Sequence, residues 1–138
     1  MSDEKGPGLN HVGVAVPSIE RYLADQQLLL GAFARGPLIS NERQGVRELF
    51  LTDGKAVLEL LEPLRPGSPL DGFLKRNRTG GLIHLAFDVE DVEAALKRIE
   101  AAGGVVVTRP VADVAFQERR IAFAVLGGHL AELIERPR

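Results

Sequence analysis

Two histidines and two glutamates recur at the same spacing. His11 precedes Glu59 by 48 residues, and His84 precedes Glu132 by 48 residues. Each Glu lies inside a β-rich stretch at a position where strand alternation favours an apolar side chain, and Glu is almost never fully buried without a partner. Imidazole and carboxylate groups together suit Zn, Ni, Co, Mn or Fe. We therefore expect these four residues to converge on one divalent metal.

An internal repeat accounts for the equal spacing. A shift of 73 residues aligns residues 9–65 with residues 82–138 without a gap and gives 15 identities in 57 positions, where chance would give about four. The copies are too short to be separate domains and should share one core. The sequence predicts a single domain over residues 1–138, with a flexible N-terminus at 1–8, one module in each copy and a linker at 66–81.

Each copy predicts a β-α-β-β-β order, because β-rich runs alternate with one helical pattern and Asp-Gly or Gly-Gly turns separate the last two strands. The expected helices are about Ile19–Leu30, Asp71–Arg76 in the linker, and one that starts near Val92 and ends before Gly103-Gly104. The expected strands are His11–Val16, Val46–Thr52, Ala56–Leu61, His84–Val89, Val105–Thr108, Arg120–Val125 and His129–Ile134. Alternation along the first strand directs Val14 and Val16 towards the helix and His11 away from it.

Composition excludes several classes of function. The net charge of −2 argues against a general nucleic-acid binder, which needs a positive surplus. There is no cysteine, so disulfides, thiolate metal sites and a cysteine nucleophile are excluded. The polar start lacks the apolar core of a signal peptide, and no apolar run approaches the ~20 residues of a membrane span. We therefore expect a soluble, cytoplasmic protein that does not associate with membranes.

Three further residues are expected at the surface. Glu62 and Glu135 also match across the repeat, but they fall on the opposite strand face from Glu59 and Glu132. His129 follows a turn and matches an alanine, which predicts an exposed position without a functional role.

The sequence resembles the vicinal oxygen chelate superfamily over nearly its whole length, and most of all the epimerases and small glyoxalase-like proteins within it. The resemblance is carried by Leu9–Val16, Gln44–Val46, Leu58–Pro63, Ser68-Pro69, Phe73-Leu74, Gly81–Val89 and Leu130–Leu133. It implies an α+β fold in which two tandem βαβββ modules form a cupped mixed sheet around a metal site. It also implies a homodimer.

The resemblance implies roles for particular residues. In the epimerases the ligand positions match His11, Glu59, His84 and Glu132, with Co, Ni, Mn or Zn as the expected metal. A proton-transferring acid of some members matches Glu48, whose counterpart in the second copy of the repeat is Ile121. The alternative interpretation of Glu48 is a solvated carboxylate on a strand. The implied reaction is abstraction of the proton beside a thioester carbonyl, with Glu48 on one face of the substrate and Glu132 or a metal-bound water on the other.

The substrate stays open at this point. Residues 111–120 depart from the epimerase pattern in a region that shapes the substrate mouth of the family. The thioester could be a coenzyme A or a glutathione conjugate, and loop arginines could contact phosphates: Arg43, Arg76, Arg78 and Arg119. The alternatives are a glyoxalase I-type lyase acting on a hemithioacetal, a non-catalytic binding or resistance protein, and an extradiol dioxygenase, which typically needs two His and one Glu.

Overall fold

The computed structural model describes residues 6–137 and contains ten strands and four α-helices within that range. It divides into two units, one of residues 11–83 and one of residues 84–137 with 6–10. Residues 1–5 of the expected flexible N-terminus lie outside the described part of the chain, and strand structure begins at Gly8. The module and linker boundaries at 66–81 stay predictions.

The first unit follows the predicted order of strand, helix and later strands. Its elements are β1 (Gly8–Ala15, whose first three residues belong to the second unit), α1 (Ile19–Asp25), α2 (Gln27–Leu30), β2 (Ala34–Arg35), β3 (Ile39–Asn41), β4 (Val46–Thr52), β5 (Val57–Pro63) and α3 (Asp71–Arg76). Strand β1 pairs in parallel with β5, and β4 is antiparallel to β5, β2 and β3. The Ser18 hydroxyl accepts a hydrogen bond from the Arg21 N–H at 3.2 Å and caps α1.

The second unit repeats this arrangement. Its elements are β6 (Gly81–Val89, whose first residues belong to the first unit), α4 (Val92–Ala101), β7 (Val105–Val106), β8 (Val111–Asp113), a short 3-10 helix (Val114–Phe116), β9 (Arg119–Leu126) and β10 (His129–Glu135). Strand β10 is parallel to β6 and antiparallel to β9. Parallel and antiparallel pairs therefore occur together, which confirms the predicted α+β fold with a mixed sheet.

Each unit buries an apolar cluster between its helix and one face of its strands. In the first unit Val14 and Val16 pack with Ile19 and Leu23 of α1, as strand alternation predicts. The second unit packs Val89, Val92, Leu96 and Leu133 in the same way. Burial of one such aliphatic side chain contributes about 1.5–3 kcal/mol. The opposite strand face of the first unit carries the polar groups together with a further apolar cluster that includes Val46 and Leu61.

The predicted second strand of each module is interrupted. Strands β2 and β3 both pair with β4, and β7 and β8 both pair with β9. Pro37 and Pro110 lie in the two gaps and match across the repeat. Proline has no N–H to donate to a strand ladder, so neither edge strand can continue through these positions. The expected strand over Val105–Thr108 ends earlier, at Val106, because the Val107 and Thr108 N–H groups both donate to the Phe123 carbonyl, at 2.8 and 3.1 Å, and so interrupt the regular ladder.

The helix expected over about Ile19–Leu30 forms as two shorter helices, α1 and α2. It is divided at Gln26, whose backbone φ of −98° and ψ of 16° leave the helical region, and whose N–H bonds the Tyr22 carbonyl as a helix end. Leu28 and Leu29 in α2 are exposed. Helix α2 contacts the apolar cluster of the first unit through Leu30.

Candidate functional site

The first His–Glu pair lies on neighbouring parallel strands of the first unit. The register places Gly13 of β1 beside Glu59 of β5, so His11, two residues earlier, shares a strand face with Glu59. His11 Nε2 and Glu59 Oε1 are 3.0 Å apart, and 1% and 2% of the two residues is exposed. The pair is therefore a desolvated imidazole–carboxylate contact on the face away from the apolar cluster.

The second unit contains the same pair in the same register. Ala86 of β6 lies beside Glu132 of β10, and His84 lies two residues before Ala86. His84 Nε2 and Glu132 Oε1 are 3.3 Å apart, and both side chains are buried. The small residues Gly13 and Ala86 stand opposite the two glutamates, so no bulky side chain occupies the neighbouring strand position.

A phenylalanine holds each histidine from the side, a role that the sequence did not reveal. Phe50 is the cross-strand partner of Glu59 and meets the His11 ring edge-on, with ring centroids 5.5 Å apart. Phe123 is the partner of Glu132 and meets His84 at 5.8 Å. Such contacts restrict ring rotation. Both copies of the repeat have phenylalanine at this position, Phe50 and Phe123, and this match was the signal in the sequence that could have identified them.

The donor chemistry of both pairs fits a divalent metal. The four buried residues His11, Glu59, His84 and Glu132 are of the types that could hold a metal ion. A carboxylate removed from water needs a compensating positive charge, and a neutral imidazole does not supply one. A divalent cation supplies it, and mixed imidazole and carboxylate ligation suits Zn, Ni, Co or Mn.

Glu48 is not solvated, so the reading of this residue as a surface carboxylate is wrong. It lies in β4 opposite Leu61 and two residues before Phe50, which places it on the strand face of Glu59. It is 3% exposed, and the Asn41 amide donates a hydrogen bond to its Oε1 at 2.9 Å. The first unit thus carries a third buried acid beside its His–Glu pair.

The expectation that Glu62 and Glu135 are exposed is also wrong. Glu62 accepts from the Ile19 N–H at 2.8 Å, and buried Glu135 accepts from the Val92 N–H at 3.1 Å. Each glutamate lies three residues beyond a glutamate that contacts a histidine, on the face towards the helix, so it reaches the first backbone N–H of α1 or α4. Strand alternation identified the face correctly but not the helix start that covers it.

An arginine holds each of these capping glutamates. Arg47 Nε donates to Glu62 Oε2 at 2.8 Å, and Arg120 Nη2 donates to Glu135 Oε2 at 3.0 Å. The hydrogen bonds that Arg120 donates to Glu135 and to Glu93 raise the pKa of its guanidinium above its usual range. Both arginines match across the repeat, so each unit fixes its helix to its strands by the same ionic contact.

We predict that Glu135→Gln lowers the free energy of unfolding by about 1.5–3 kcal/mol, the range for losing hydrogen bonds to a charged group. Glu62→Gln should lower it by less, because Glu62 is more exposed than Glu135. Urea unfolding of both variants checks this order. Equal stability of wild type and Glu135→Gln would contradict the capping role.

The four candidate phosphate contacts differ in exposure. Arg43, Arg76 and Arg78 are exposed on loops and on α3. Arg119 is partly buried; its Nε donates to the Phe116 carbonyl at 3.2 Å, and its Nη1 lies 3.9 Å from Asp88 Oδ1. His129 is exposed, as expected.

Residues 111–120, which depart from the epimerase pattern, form β8, the 3-10 helix and a turn into β9. Gln117 and Glu118 have φ values of 56° and 64°, in the left-handed region that favours glycine. Gly45 holds the position that matches Glu118 in the repeat and has a φ of 69°. The second unit therefore makes this turn with side chains where the first has glycine.

None of the helices described over residues 6–137 is long and apolar enough to cross a membrane.

Comparison with known proteins defines the class. The sequence model of the glyoxalase/bleomycin resistance protein/dioxygenase superfamily matches residues 10–123. The chain belongs to this superfamily, and its paired βαβββ halves and His–Glu pairs are consistent with that class.

Several relatives within the superfamily are named as epimerases. The chain is 42% identical over 95 residues to the ethylmalonyl-CoA/methylmalonyl-CoA epimerase of Cereibacter sphaeroides, covering 69% of this chain and 70% of that protein. It is 41% identical over 88 residues to the mitochondrial methylmalonyl-CoA epimerase of Bos taurus, covering 64% of this chain and half of that protein.

Solved structures give the same result. The methylmalonyl-CoA epimerase of Mycobacterium tuberculosis superposes with a TM-score of 0.79 at 31% identity, over 95% of this chain and 89% of that one. A Streptomyces coelicolor methylmalonyl-CoA epimerase in complex with 2-nitronate-propionyl-CoA superposes with a TM-score of 0.77 at 28% identity, over 94% and 97% of the two chains.

Proposed function

We propose that this protein is a metal-dependent epimerase that removes and returns the proton beside the carbonyl of an acyl-CoA thioester, with methylmalonyl-CoA as the substrate. The observation that carries the proposal is the buried Glu48 on the same strand face as the His11–Glu59 pair. A carboxylate held in a dry site next to a metal-ligand pair is suited to proton transfer. The epimerase names of the relatives support the substrate class.

The proposal includes one metal held jointly by His11, Glu59, His84 and Glu132. The bound metal would act as a Lewis acid that stabilises negative charge on the thioester oxygen. Glu59 and Glu132 would offset the charge of the ion, and the edge-on Phe50 and Phe123 would keep the two imidazoles in a fixed orientation. Zn, Ni, Co and Mn all suit this donor set.

The protein's own acids would divide the proton transfers. Glu48 takes the α-proton from one face of the substrate, and the planar intermediate then receives a proton on the opposite face. We assign that second transfer to Glu132. Like Glu48, it is buried and is one of the two acids for which the sequence predicts a role in proton transfer. Because the second unit has Ile121 where the first has Glu48, the two faces of the substrate would meet different groups.

A direct comparison of substrates tests the proposal. The metal-loaded protein is incubated with methylmalonyl-CoA, with ethylmalonyl-CoA and with the hemithioacetal of methylglyoxal and glutathione, and the products are resolved by chromatography. We expect interconversion of the CoA epimers and no lactoylglutathione. Formation of lactoylglutathione alone would assign the protein to the glyoxalase alternative, and no turnover of any of these substrates would favour a binding protein.

We also predict a homodimer in the cytoplasm. Strand β7 lies at an edge of the second unit. Val105 in this strand and Val107 directly after it are more than half exposed. Exposed apolar edges of this kind are commonly covered by self-association. Sedimentation velocity at micromolar concentration should give twice the mass of one chain, and a monomer across the micromolar range would contradict the dimer. Cell fractionation would test the location.

A further inference from the structure

We propose that Asn41 is a positioning residue for Glu48, holding the carboxylate in the orientation that accepts the substrate proton. The inference rests on the proposed function and adds to it a residue that the mechanism has not used. Asn41 and Glu48 lie in β3 and β4 of the same unit, and both belong to the buried polar groups.

The contact itself is short and dry. Asn41 Nδ2 donates to Glu48 Oε1 at 2.9 Å, and Asn41 is 1% exposed. In the β3–β4 register Ile39 is opposite Glu48 and Asn41 is opposite Val46, so the two side chains are diagonal neighbours on one strand face. A hydrogen bond from a buried amide to a carboxylate fixes the torsion angles of that carboxylate.

A turn-forming role does not account for this contact. The side-chain Oδ1 of Asn41 accepts from the Gln44 N–H at 3.2 Å and so starts the turn between β3 and β4. The second unit does the same with Asp113, which accepts from the Ala115 N–H at 2.8 Å and precedes β9. Asn41 and Asp113 are equivalent, because their strand partners Val46 and Arg119 match across the repeat.

The comparison separates the two ends of the Asn41 amide. An aspartate at the equivalent position forms the turn, so the turn needs only the oxygen. The Nδ2 donor is additional, and it is present in the unit that has Glu48 and absent from the unit that has Ile121 instead. The donor thus accompanies the candidate base rather than the fold, which points to a role in the chemistry of Glu48.

Asn41→Asp is the informative variant, because it keeps the turn oxygen and replaces the donor with a carboxylate oxygen that repels the Glu48 carboxylate instead of holding it. We expect kcat for epimerisation to fall about 10–100-fold with KM changed less than twofold, since a displaced catalytic group slows chemistry without altering substrate binding. Asn77→Asp is the matched control: it removes the amide that bonds the Phe73 carbonyl at the end of α3, and kcat should not change.

A double-mutant cycle tests whether Asn41 acts through Glu48. In the Glu48→Gln background, Asn41→Asp should produce no further loss of kcat, whereas a full 10–100-fold additional loss would overturn the proposal. The Asn41→Asp/Glu48→Ile variant reproduces the Asp113/Ile121 pair of the second unit. This variant and Asn41→Asp alone should both melt near the temperature of wild type, and that result for Asn41→Asp excludes misfolding as the cause of its lost activity.

A measurement without substrate separates this inference from the proposed function. In protein labelled with ¹³C at the glutamate carboxyl carbons, the Glu48 signal, assigned from its loss in Glu48→Gln, should move in Asn41→Asp and stay in place in Asn77→Asp. An unmoved Glu48 signal in Asn41→Asp overturns the positioning role even if the wild type is an epimerase. A moved signal with no turnover in the wild type overturns the proposed function instead.

Discussion

Glu48→Gln is expected to lower the epimerisation rate about 10²–10⁴-fold, the usual cost of losing a positioned general base. Glutamine keeps the size of the side chain and can still accept from the Asn41 amide, but it cannot take a proton. The fold should be unaffected, because Glu48 lies outside the apolar clusters of its unit. Coupled assays started from each epimer separately give the rates in both directions.

The result should have a signature beyond the size of the loss. Because Glu48 would serve one face of the substrate, wash-in of solvent deuterium from one epimer should fall more than from the other. Metal content and melting temperature should match those of wild type. An unchanged rate would assign proton transfer to other groups, and a loss of metal in this variant would mean that the ligand set is different.

Replacing a histidine of either pair is expected to remove both metal and activity. His11→Ala and His84→Ala each delete one imidazole donor and leave a buried carboxylate beside a gap, so metal content should fall to background and the rate by at least about 10³-fold. His129→Ala is the control, because His129 is exposed and lies outside both pairs. Elemental analysis of the purified proteins and the epimerase assay measure the two effects.

Metal removal should also weaken the fold. A ligand that binds only the native state adds about 2.7 kcal/mol at a hundredfold excess over Kd, which corresponds to roughly 10 °C in melting temperature for a chain of this size. Stringent chelation should lower the melting temperature by that amount, and Co, Ni or Mn should restore it. A melting temperature that chelation does not change would contradict a metal held by the buried pairs.

The repeat made much of the fold predictable. Once His11 and His84 were aligned, period-two alternation assigned each strand face, and strands such as β4 lie where the sequence placed them. The burial of both His–Glu pairs follows from the same argument, because a polar residue inside a β-rich run must find a partner. Their service as ligands of one metal stays a prediction.

The features that sequence reasoning missed depend on contacts between distant elements. Glu135 is buried because the start of α4 lies over the end of β10, and no local pattern reports that neighbour. Glu48 is held by Asn41 across a turn whose register is set by pairing rather than by composition. The matched prolines Pro37 and Pro110 are visible in the sequence. That each lies between two short strands is known only from the structure, where both short strands pair with the same long strand.

Deuterium exchange at the α-carbon of methylmalonyl-CoA measures metal-dependent removal of the substrate proton. The substrate is placed in D₂O with metal-loaded protein, metal-stripped protein and stripped protein to which metal is returned, and loss of the α-proton signal is followed by proton NMR. We expect fast exchange with loaded protein, a rate near background after stripping, and recovery when metal is returned. Equal exchange by the loaded and stripped proteins, or no exchange by either, would contradict metal-dependent proton removal.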